Sequence, residues 1–233
     1  MRRRSGLWNG GENMGRPSGG YVIDGEKVPG VTTITGRFKD SGGLIHWAWQ
    51  QGKDGKDFRD TKQKAADAGT VAHAMVEADW HGGELDTSAY PDDVLKKAEH
   101  AFLAYLEWKG RVNLTVVKPE LTLISKIHRF GGTLDALFVG DKLVLGDWKT
   151  SNGIYADMLV QVAGGYSLLW QEHYPDQPLH GVEIIRFSKP EKLDDPITFT
   201  DHYWSAEILP IAQRQFLIFR EAYDTDKRLK KFI

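Results

Sequence analysis

Cysteine is absent from this chain of 233 residues. Its absence excludes disulfide bonds, iron–sulfur clusters and cysteine-ligated zinc, so any bound metal must use oxygen and nitrogen ligands. Long apolar runs are missing too: no stretch of about 18 apolar residues, the length of a membrane span, occurs. The charged start Met1-Arg-Arg-Arg-Ser lacks the apolar continuation that is typical of a signal peptide. We therefore expect a cytoplasmic protein.

An excess of charge of either sign is also lacking, because 30 Lys and Arg residues face 32 Asp and Glu residues, a formal net charge of −2. Binding to nucleic acid would therefore need a local basic surface. No Walker motif of the form G-x-x-x-x-G-K-[ST] occurs, so the chain encodes no nucleotide-driven motor. Residues 1–20 are rich in Gly, Arg, Ser and Asn, which predicts a flexible N-terminal arm before a single domain over residues 21–233.

The spacing of apolar residues predicts an α/β fold. Helices are predicted over residues 44–49, 65–80, 90–108, 155–172 and 206–223, and strands over residues 116–124, 133–139, 143–148, 180–187 and 197–204. Turn signals within residues 21–35 predict a small hairpin that ends at Val31-Thr-Thr-Ile. The predicted order is helix, three strands, helix and strand, with additions at both ends.

Residues 50–68 mix positive and negative charges, with five Lys or Arg residues interleaved with aspartates. Such a pattern usually indicates a solvated helix or lid. The alternative uses the flanking Trp47 and Trp49: the segment would close over a single strand, pairing phosphates with Lys and Arg and stacking bases on the indoles. The sequence does not decide between the two.

Two acidic residues stand in neighbouring apolar segments that Gly-Asp-Lys at 140–142 separates. If the segments pair as a hairpin, Asp135 near the start of one strand lies beside Asp147 near the end of the other. Two adjacent carboxylates favour a hard cation such as Mg²⁺. Lys149 follows Asp147 by two residues, so their side chains share one face of the strand.

An ammonium group beside a metal-bound water and a phosphate can orient the water, stabilise charge on the phosphoryl oxygens or assist deprotonation. The set of Asp135, Asp147 and Lys149 therefore indicates metal-assisted phosphodiester hydrolysis. The alternative is an exposed hairpin with an Asp–Lys salt bridge, which is common and contributes little to stability.

His73 and Glu77 are spaced i, i+4, on one face of the predicted helix 65–80, where the imidazole can serve as a further metal ligand. A single helical histidine is more often structural. The zinc pattern H-E-x-x-H is absent.

Four motifs in this order resemble those of the RecB-like branch of the PD-(D/E)XK nuclease superfamily. They are Gly-Thr-x-x-His ending at His73, Gly-x-x-Asp ending at Asp135, Asp-Trp-Lys-Thr at 147–150, and Gln161 followed by Tyr166. The match runs from about residue 29 to about residue 187. Two departures are visible: leucine stands where the superfamily's name has proline, and five residues rather than four separate Gln161 from Tyr166.

The resemblance implies a role for each matching residue. Asp135, Asp147 and Lys149 would be catalytic. The ligands of a divalent cation would be His73, Asp135, Asp147 and the backbone carbonyl of Trp148, with Glu120 and, more loosely, Glu77 as additional candidates. Contacts to DNA would come from Gln161 and Tyr166, with Thr150 and Ser151 as further candidates.

The resemblance also implies the fold and the activity. The expected fold is an αβββαβ restriction-endonuclease-like core, with a mixed central sheet flanked by helices and N-terminal hairpin and helical additions. The expected activity is a Mg²⁺- or Mn²⁺-dependent DNA exonuclease that leaves 5′-phosphates, in phage-type recombination, repair or processing, in a bacterial or phage-infected cytoplasm. The expected partner is DNA, as a single strand or a duplex end, with a single-strand annealing or binding protein as a further candidate and no membrane.

Two other functions stay open at this point. A DNA-binding protein could keep the nuclease fold without turnover, although retention of the Asp-Asp-Lys set argues against it. A sequence-specific endonuclease would need a base-reading element, and no convincing one is present in the sequence. Polarity and oligomeric state are not determined by these motifs.

Overall fold

The computed structural model describes residues 17, 19–112, 115–139, 141–188, 190 and 195–233. The predicted arm at 1–20 therefore lies almost entirely outside the described residues. The helices are α1 (Val31–Arg37), α2 (Gly42–Lys53), α3 (Phe58–His81), α4 (Asp92–Arg111), α5 (Ala156–Leu159), a π-helix (Val160–Tyr166), α6 (Ser167–His173), α7 (Ile208–Leu229) and a final 3₁₀ turn (Lys230–Phe232). The strands are β1 (Tyr21–Ile23), β2 (Glu26–Val28), β3 (Thr115–Ser125), β4 (Phe130–Val139), β5 (Leu143–Lys149), β6 (Gly181–Phe187) and β7 (Phe199–Ser205).

A five-stranded mixed sheet, in the order β3-β4-β5-β6-β7, forms the centre of the fold. Strands β5 and β6 are parallel, and the other neighbours are antiparallel. A parallel pair needs a crossover connection, which α5, the π-helix and α6 supply. The order α4, β3, β4, β5, crossover helices, β6 confirms the predicted αβββαβ fold class.

Each face of the sheet carries its own hydrophobic core, because successive side chains of a strand point to opposite faces. On one face Leu145 and Ile184 pack with residues of α1, the π-helix and α7. On the other face Val144 and Ile185 pack with residues of α3 and α4. Within the described ranges, no helix is both long and apolar enough to span a membrane.

The predicted hairpin over residues 21–35 is confirmed only for β1 and β2, which a turn at Asp24 and Gly25 joins. The expectation that it ends at residues 31–34 was wrong, because those residues begin α1. Val31, Ile34 and Thr35 are spaced i, i+3, i+4, and all three are buried. This short apolar face packs as a helix against the core around the π-helix.

The other predicted elements exist with shifted bounds. Helix α3 begins seven residues before the predicted start at 65, and Asp57 caps it by accepting a hydrogen bond from the backbone N–H of Arg59. Helix α7 continues to Leu229 instead of ending at 223. Strand β4 begins at Phe130 rather than 133, so Asp135 lies in the middle of the strand and not near its start.

Two consecutive glycines let the π-helix approach its neighbours closely. A Cβ atom on Gly164 would lie 2.5 Å from the backbone oxygen of Ala212 in α7, and one on Gly165 would lie 2.6 Å from Cγ1 of Val31 in α1. Any larger residue would push these helices apart. The glycines therefore fix the distance between the π-helix and the rest of this core.

We predict that Gly164→Ala lowers the free energy of unfolding by about 1–3 kcal/mol, the usual cost of overpacking, since a backbone oxygen cannot rotate away. Urea unfolding followed by circular dichroism measures the change. Gly110→Ala in α4 is the matched control: nothing lies within 4 Å of the added Cβ, so this change should be stabilising by roughly 0.5–1 kcal/mol. Equal stability of the two variants would contradict the packing argument.

Candidate active site

An open cleft of about 620 Å³ lies between α3 and the strands β3 and β5. Helix α3 contributes a face of small residues followed by polar ones: Ala65, Ala66, Gly69, Thr70, His73, Ala74 and Glu77. The other residues that line the cleft are Glu120 on β3, Trp148 and Lys149 at the end of β5, and Thr150 and Ser151 just after it. Seven of the site residues predicted from the sequence thus line one cleft, whereas Asp135, Asp147, Gln161 and Tyr166 are not among its lining residues.

Strand pairing aligns three acidic residues across the sheet. Glu120 and Asp135 lie level between the partners Pro119–Ala136 and Leu121–Leu134 of β3 and β4, and Asp135 and Asp147 each lie one residue beyond the partners Ala136–Gly146 of β4 and β5. Glu120 has a φ of 48°, in the left-handed region that residues other than glycine rarely adopt. Such backbone strain is concentrated at functional sites, where the surrounding structure maintains it.

Asp147 and Lys149 form a buried ion pair. Their spacing of two residues predicted that both side chains lie on one face of the strand. Asp147 is 0% exposed and Lys149 is 18% exposed, with 2.5 Å between Lys149 Nζ and Asp147 Oδ2. Burial raises the pKa of Asp147, while the Lys149 ammonium group acts to lower it. Burial acts to lower the pKa of Lys149, but Asp147 and Asp135 outweigh it and raise that pKa, so the lysine keeps its charge at neutral pH.

Asp135 is held by the neighbouring strand. Its Oδ2 accepts a hydrogen bond of 3.0 Å from the backbone N–H of Trp148 and lies 3.9 Å from Nδ1 of His73. The helical histidine and the strand aspartate, 62 positions apart in the chain, are therefore neighbours in space. Trp148 turns its indole ring away, into the core beneath α3 and α4.

Glu120 lies within a field of negative charge. Burial raises its pKa to about 7, and repulsion from Glu77 and Asp135 adds to the effect. Glu77, the weakest of the ligand candidates predicted from the sequence, thus acts electrostatically on the same group of carboxylates. Together His73, Glu77, Glu120, Asp135 and Asp147 form what we call the acidic cluster.

The π-helix explains the unusual spacing between Gln161 and Tyr166. In a π-helix the residues i and i+5 stand one turn apart, so a spacing of five puts both side chains on one face. Gln161 Nε2 donates to the Tyr166 hydroxyl at 2.8 Å and reaches Asp147 Oδ1 at 3.4 Å. Tyr166 is 5% exposed, so it contributes to the site by holding Gln161 and not by direct exposure.

The donor types of the acidic cluster suit a hard divalent cation, since carboxylate oxygens are the ligands that Mg²⁺ and Mn²⁺ prefer. The fully buried Oδ2 of Asp147 has no hydrogen-bond partner of regular geometry, although Lys149 lies beside it. In the described part of the chain, no three His, Asp or Glu side chains are already arranged to hold a metal ion. Side chains of the cluster would therefore have to turn toward a cation to bind it.

The close approach of α3 to β5 was not foreseen from the sequence. A Cβ atom on Gly69 would lie 3.0 Å from Oγ1 of Thr150, so the glycine lets the helix lie directly against the end of the strand. Ala65, Ala66 and Gly69 recur at helical spacing, a signal that could have indicated a closely packed or ligand-facing helix surface.

No protein-family model matches the sequence, and no curated protein matches it. Among solved structures, the chain is similar to LHK-Exo, an alkaline exonuclease from Laribacter hongkongensis, at 14% identity and a TM-score of 0.33, covering 73% of this chain and 92% of that chain. A second structure of LHK-Exo, in complex with dAMP, matches at 12% identity and a TM-score of 0.38, covering 72% and 89%. A third, of SSO0001, matches at 19% identity and a TM-score of 0.30, covering 66% and 74%.

We predict that Glu120→Gln stabilises the metal-free protein at pH 8 by on the order of 1 kcal/mol and leaves it unchanged at pH 4. The folded-state pKa of Glu120, about 7, lies above the ordinary value of 4.5. The folded state therefore holds the extra proton between these values, and stability falls as the pH rises through that window. Thermal unfolding in EDTA across pH 4–8 measures the effect. Equal pH profiles for the two proteins would show that Glu120 is not in a repulsive field.

Proposed function

We propose that this chain is a divalent-metal-dependent DNA exonuclease that hydrolyses phosphodiester bonds and leaves 5′-phosphates. The observation that supports it is the meeting of Asp135, Asp147 and Lys149 near the end of β5, where Lys149 contacts Asp147 and lines the cleft while Asp135 lies beside His73. A buried, pre-positioned ammonium group beside carboxylates is suited to a reaction in which negative charge grows on phosphate. The proposed process, phage-type DNA recombination, repair or processing, rests on the motif resemblance alone.

The residues of the cleft have distinct proposed tasks. The ammonium group of Lys149 attracts the scissile phosphate, stabilises charge on its oxygens and orients the attacking water. Thr150 and Ser151, which follow it along the cleft wall, offer hydroxyl groups to a neighbouring phosphate. Gln161 keeps Asp147 in place and contacts the DNA backbone, while buried Tyr166 acts by holding Gln161.

A divalent cation would be held by His73, Asp135, Asp147 and the backbone carbonyl of Trp148, with Glu120 and Glu77 nearby. When bound, such a cation lowers the pKa of a coordinated water and neutralises charge on phosphate. In the overall reaction water adds to phosphorus and the bond to the 3′-oxygen breaks, giving a 3′-hydroxyl and a 5′-phosphate. In support of this arrangement, Lys149 contacts Asp147, one of the proposed ligands.

We predict that the protein degrades DNA in Mg²⁺ or Mn²⁺ but not in EDTA, and that Lys149→Ala or Asp147→Asn slows degradation by about 10²–10⁴-fold. The assay uses single-stranded and duplex DNA labelled at the 5′ or the 3′ end. The order in which labelled products appear gives the polarity of digestion. Ligation of the products without prior phosphorylation tests for 5′-phosphates.

Lys142→Ala is the matched control, because this exposed lysine stands at the turn before β5 and does not line the cleft. It should degrade DNA as fast as the unmodified protein. Folded protein that binds DNA but cleaves none in any metal would favour the non-catalytic binding protein. Cleavage of closed circular DNA at fixed positions would favour the endonuclease.

We also predict that Mn²⁺ or Mg²⁺ raises the thermal midpoint of the protein at pH 8, because a ligand that binds only the folded state stabilises it by mass action. At 100 times the dissociation constant the gain is about 2.7 kcal/mol. Asp135→Asn should abolish most of the metal-dependent gain, whereas Asp141→Asn, at the turn outside the cleft, should retain it. A midpoint that does not respond to either metal would contradict the proposed ligand set.

A further inference from the structure

The cleft-facing side of α3 continues past the cleft toward the start of the helix. In an α-helix, residues spaced three and four apart lie on the same face. Lys62 lies three and four residues before Ala65 and Ala66, which line the cleft, and Arg59 lies a further three residues before Lys62. Both cationic side chains therefore extend the line of His73, Gly69 and Ala66 along one face of the helix.

The two cations on this line are available for a ligand. Arg59 and Lys62 are exposed, and across the described residues neither forms an ion pair. By contrast, Lys64 turns to the opposite face of α3 and pairs with Asp93 of α4 at 2.7 Å. The charges of this helix thus differ between its faces: on the side of the cleft the cations form no ion pair with the described residues, and Arg59 lies 5.8 Å from the centre of the Phe58 ring.

The acidic residues of the same segment are engaged in local contacts. Asp57 caps α3, and Asp54 accepts a hydrogen bond of 3.1 Å from Gln50. Asp67 accepts a hydrogen bond of 2.8 Å from Gln63. The negative charge of Asp60 helps to raise the pKa of Lys64, which lies on the side of α3 away from the cleft. The mixed charge of residues 50–68 therefore separates in space, and the cleft-facing line carries positive charge.

Helix α2, which ends five residues before α3 begins, contributes an exposed aromatic surface. None of its residues is buried, and Trp49 is 57% exposed. Lys53 Nζ lies 4.6 Å from the centre of the Trp49 ring, and the centre of the His46 ring lies 5.6 Å from it. An exposed indole next to cations is the arrangement that binds unpaired bases, since every base can stack on it.

We propose that Arg59, Lys62 and Trp49 form a track for single-stranded nucleic acid that leads from the cleft along α3 to the end of α2. Lys62 and Arg59 bind phosphates, and Trp49 stacks with a base. The distance from His73 to Lys62 along the helix is roughly 16 Å, which a stacked strand covers in about five nucleotides. This proposal rests on the proposed function for the identity of the ligand. It adds that the site prefers single-stranded to duplex nucleic acid.

The test is binding of fluorescein-labelled 15-nucleotide single strands and 15-base-pair duplexes in EDTA, which prevents metal-dependent hydrolysis, followed by anisotropy. Arg59→Ala/Lys62→Ala should weaken single-strand binding about tenfold and reduce the salt slope by about 1.4, or 0.7 for each lost phosphate contact. Lys64→Ala/Lys97→Ala removes the same charge on the side of Asp93 and should change affinity less than twofold.

Trp49→Ala should weaken single-strand binding about tenfold and leave duplex binding unchanged, and Trp49→Phe should restore most of the loss. The track is overturned if the Arg59/Lys62 variant loses no more affinity than the Lys64/Lys97 control. Its assignment to a single strand is overturned if Trp49→Ala weakens duplex and single-strand binding equally.

A second assay separates the track from the proposed chemistry. A trinucleotide bound at His73 spans about 10 Å, which is shorter than the roughly 16 Å along the helix from His73 to Lys62. With Mg²⁺, the Arg59/Lys62 and Trp49 variants should hydrolyse it at the rate of the unmodified protein while degrading 15-nucleotide strands more slowly at limiting DNA. If no protein cleaves either substrate but the binding differences persist, the nuclease function fails and the track stands. If cleavage is normal and the binding differences are absent, the track fails and the nuclease stands.

Discussion

The crowding of negative charge at the end of β5 is the constraint on which the cleft depends. A fully buried carboxylate such as Asp147 is strongly unfavourable unless a positive charge or hydrogen-bond donors surround it. Lys149 supplies the charge, and Gln161 reaches the other oxygen from the π-helix. Glu120 and Asp135 on the next two strands add further negative charge; burial raises the pKa of Glu120, and repulsion from Glu77 and Asp135 adds to that effect. A divalent cation would offset this negative charge.

The π-helix, which positions Gln161, packs closely against its neighbours. The π-helix contacts α1 and α7 through Gly164 and Gly165, where no side chain intervenes. Its wider turn places Gln161 and Tyr166 on one face, so the buried tyrosine holds the glutamine that meets Asp147. Packing on the side of the sheet opposite α3 thus determines the position of a polar group in the site. π-helical segments are often found at functional sites.

The side of α3 that faces the cleft changes in charge along the helix. Near its middle it brings His73 and Glu77 to the acidic cluster, and small residues let it lie against the end of β5. Toward its start the same face carries Lys62 and Arg59. A chain with a net charge of −2 can in this way present an attractive surface to a polyanion beside an acidic site. A nucleic-acid strand at this surface would interact with the nearby charges of α3 more strongly than with the net charge of the whole chain.

The sequence by itself determined the order of the elements and the pairing of Asp135 with Asp147 and Lys149. Those inferences depend on apolar periodicity and short spacings, which are local properties of the chain. It did not reveal that residues 31–37 form a helix, since a stretch this short becomes helical only when its apolar face finds a core. The tertiary structure alone decided that His73 meets Asp135, that Gln161 reaches Asp147 through a π-helix, and that Lys64 pairs with Asp93 of α4. Each of these depends on contacts between different elements of the fold, which the spacing of neighbouring residues does not encode.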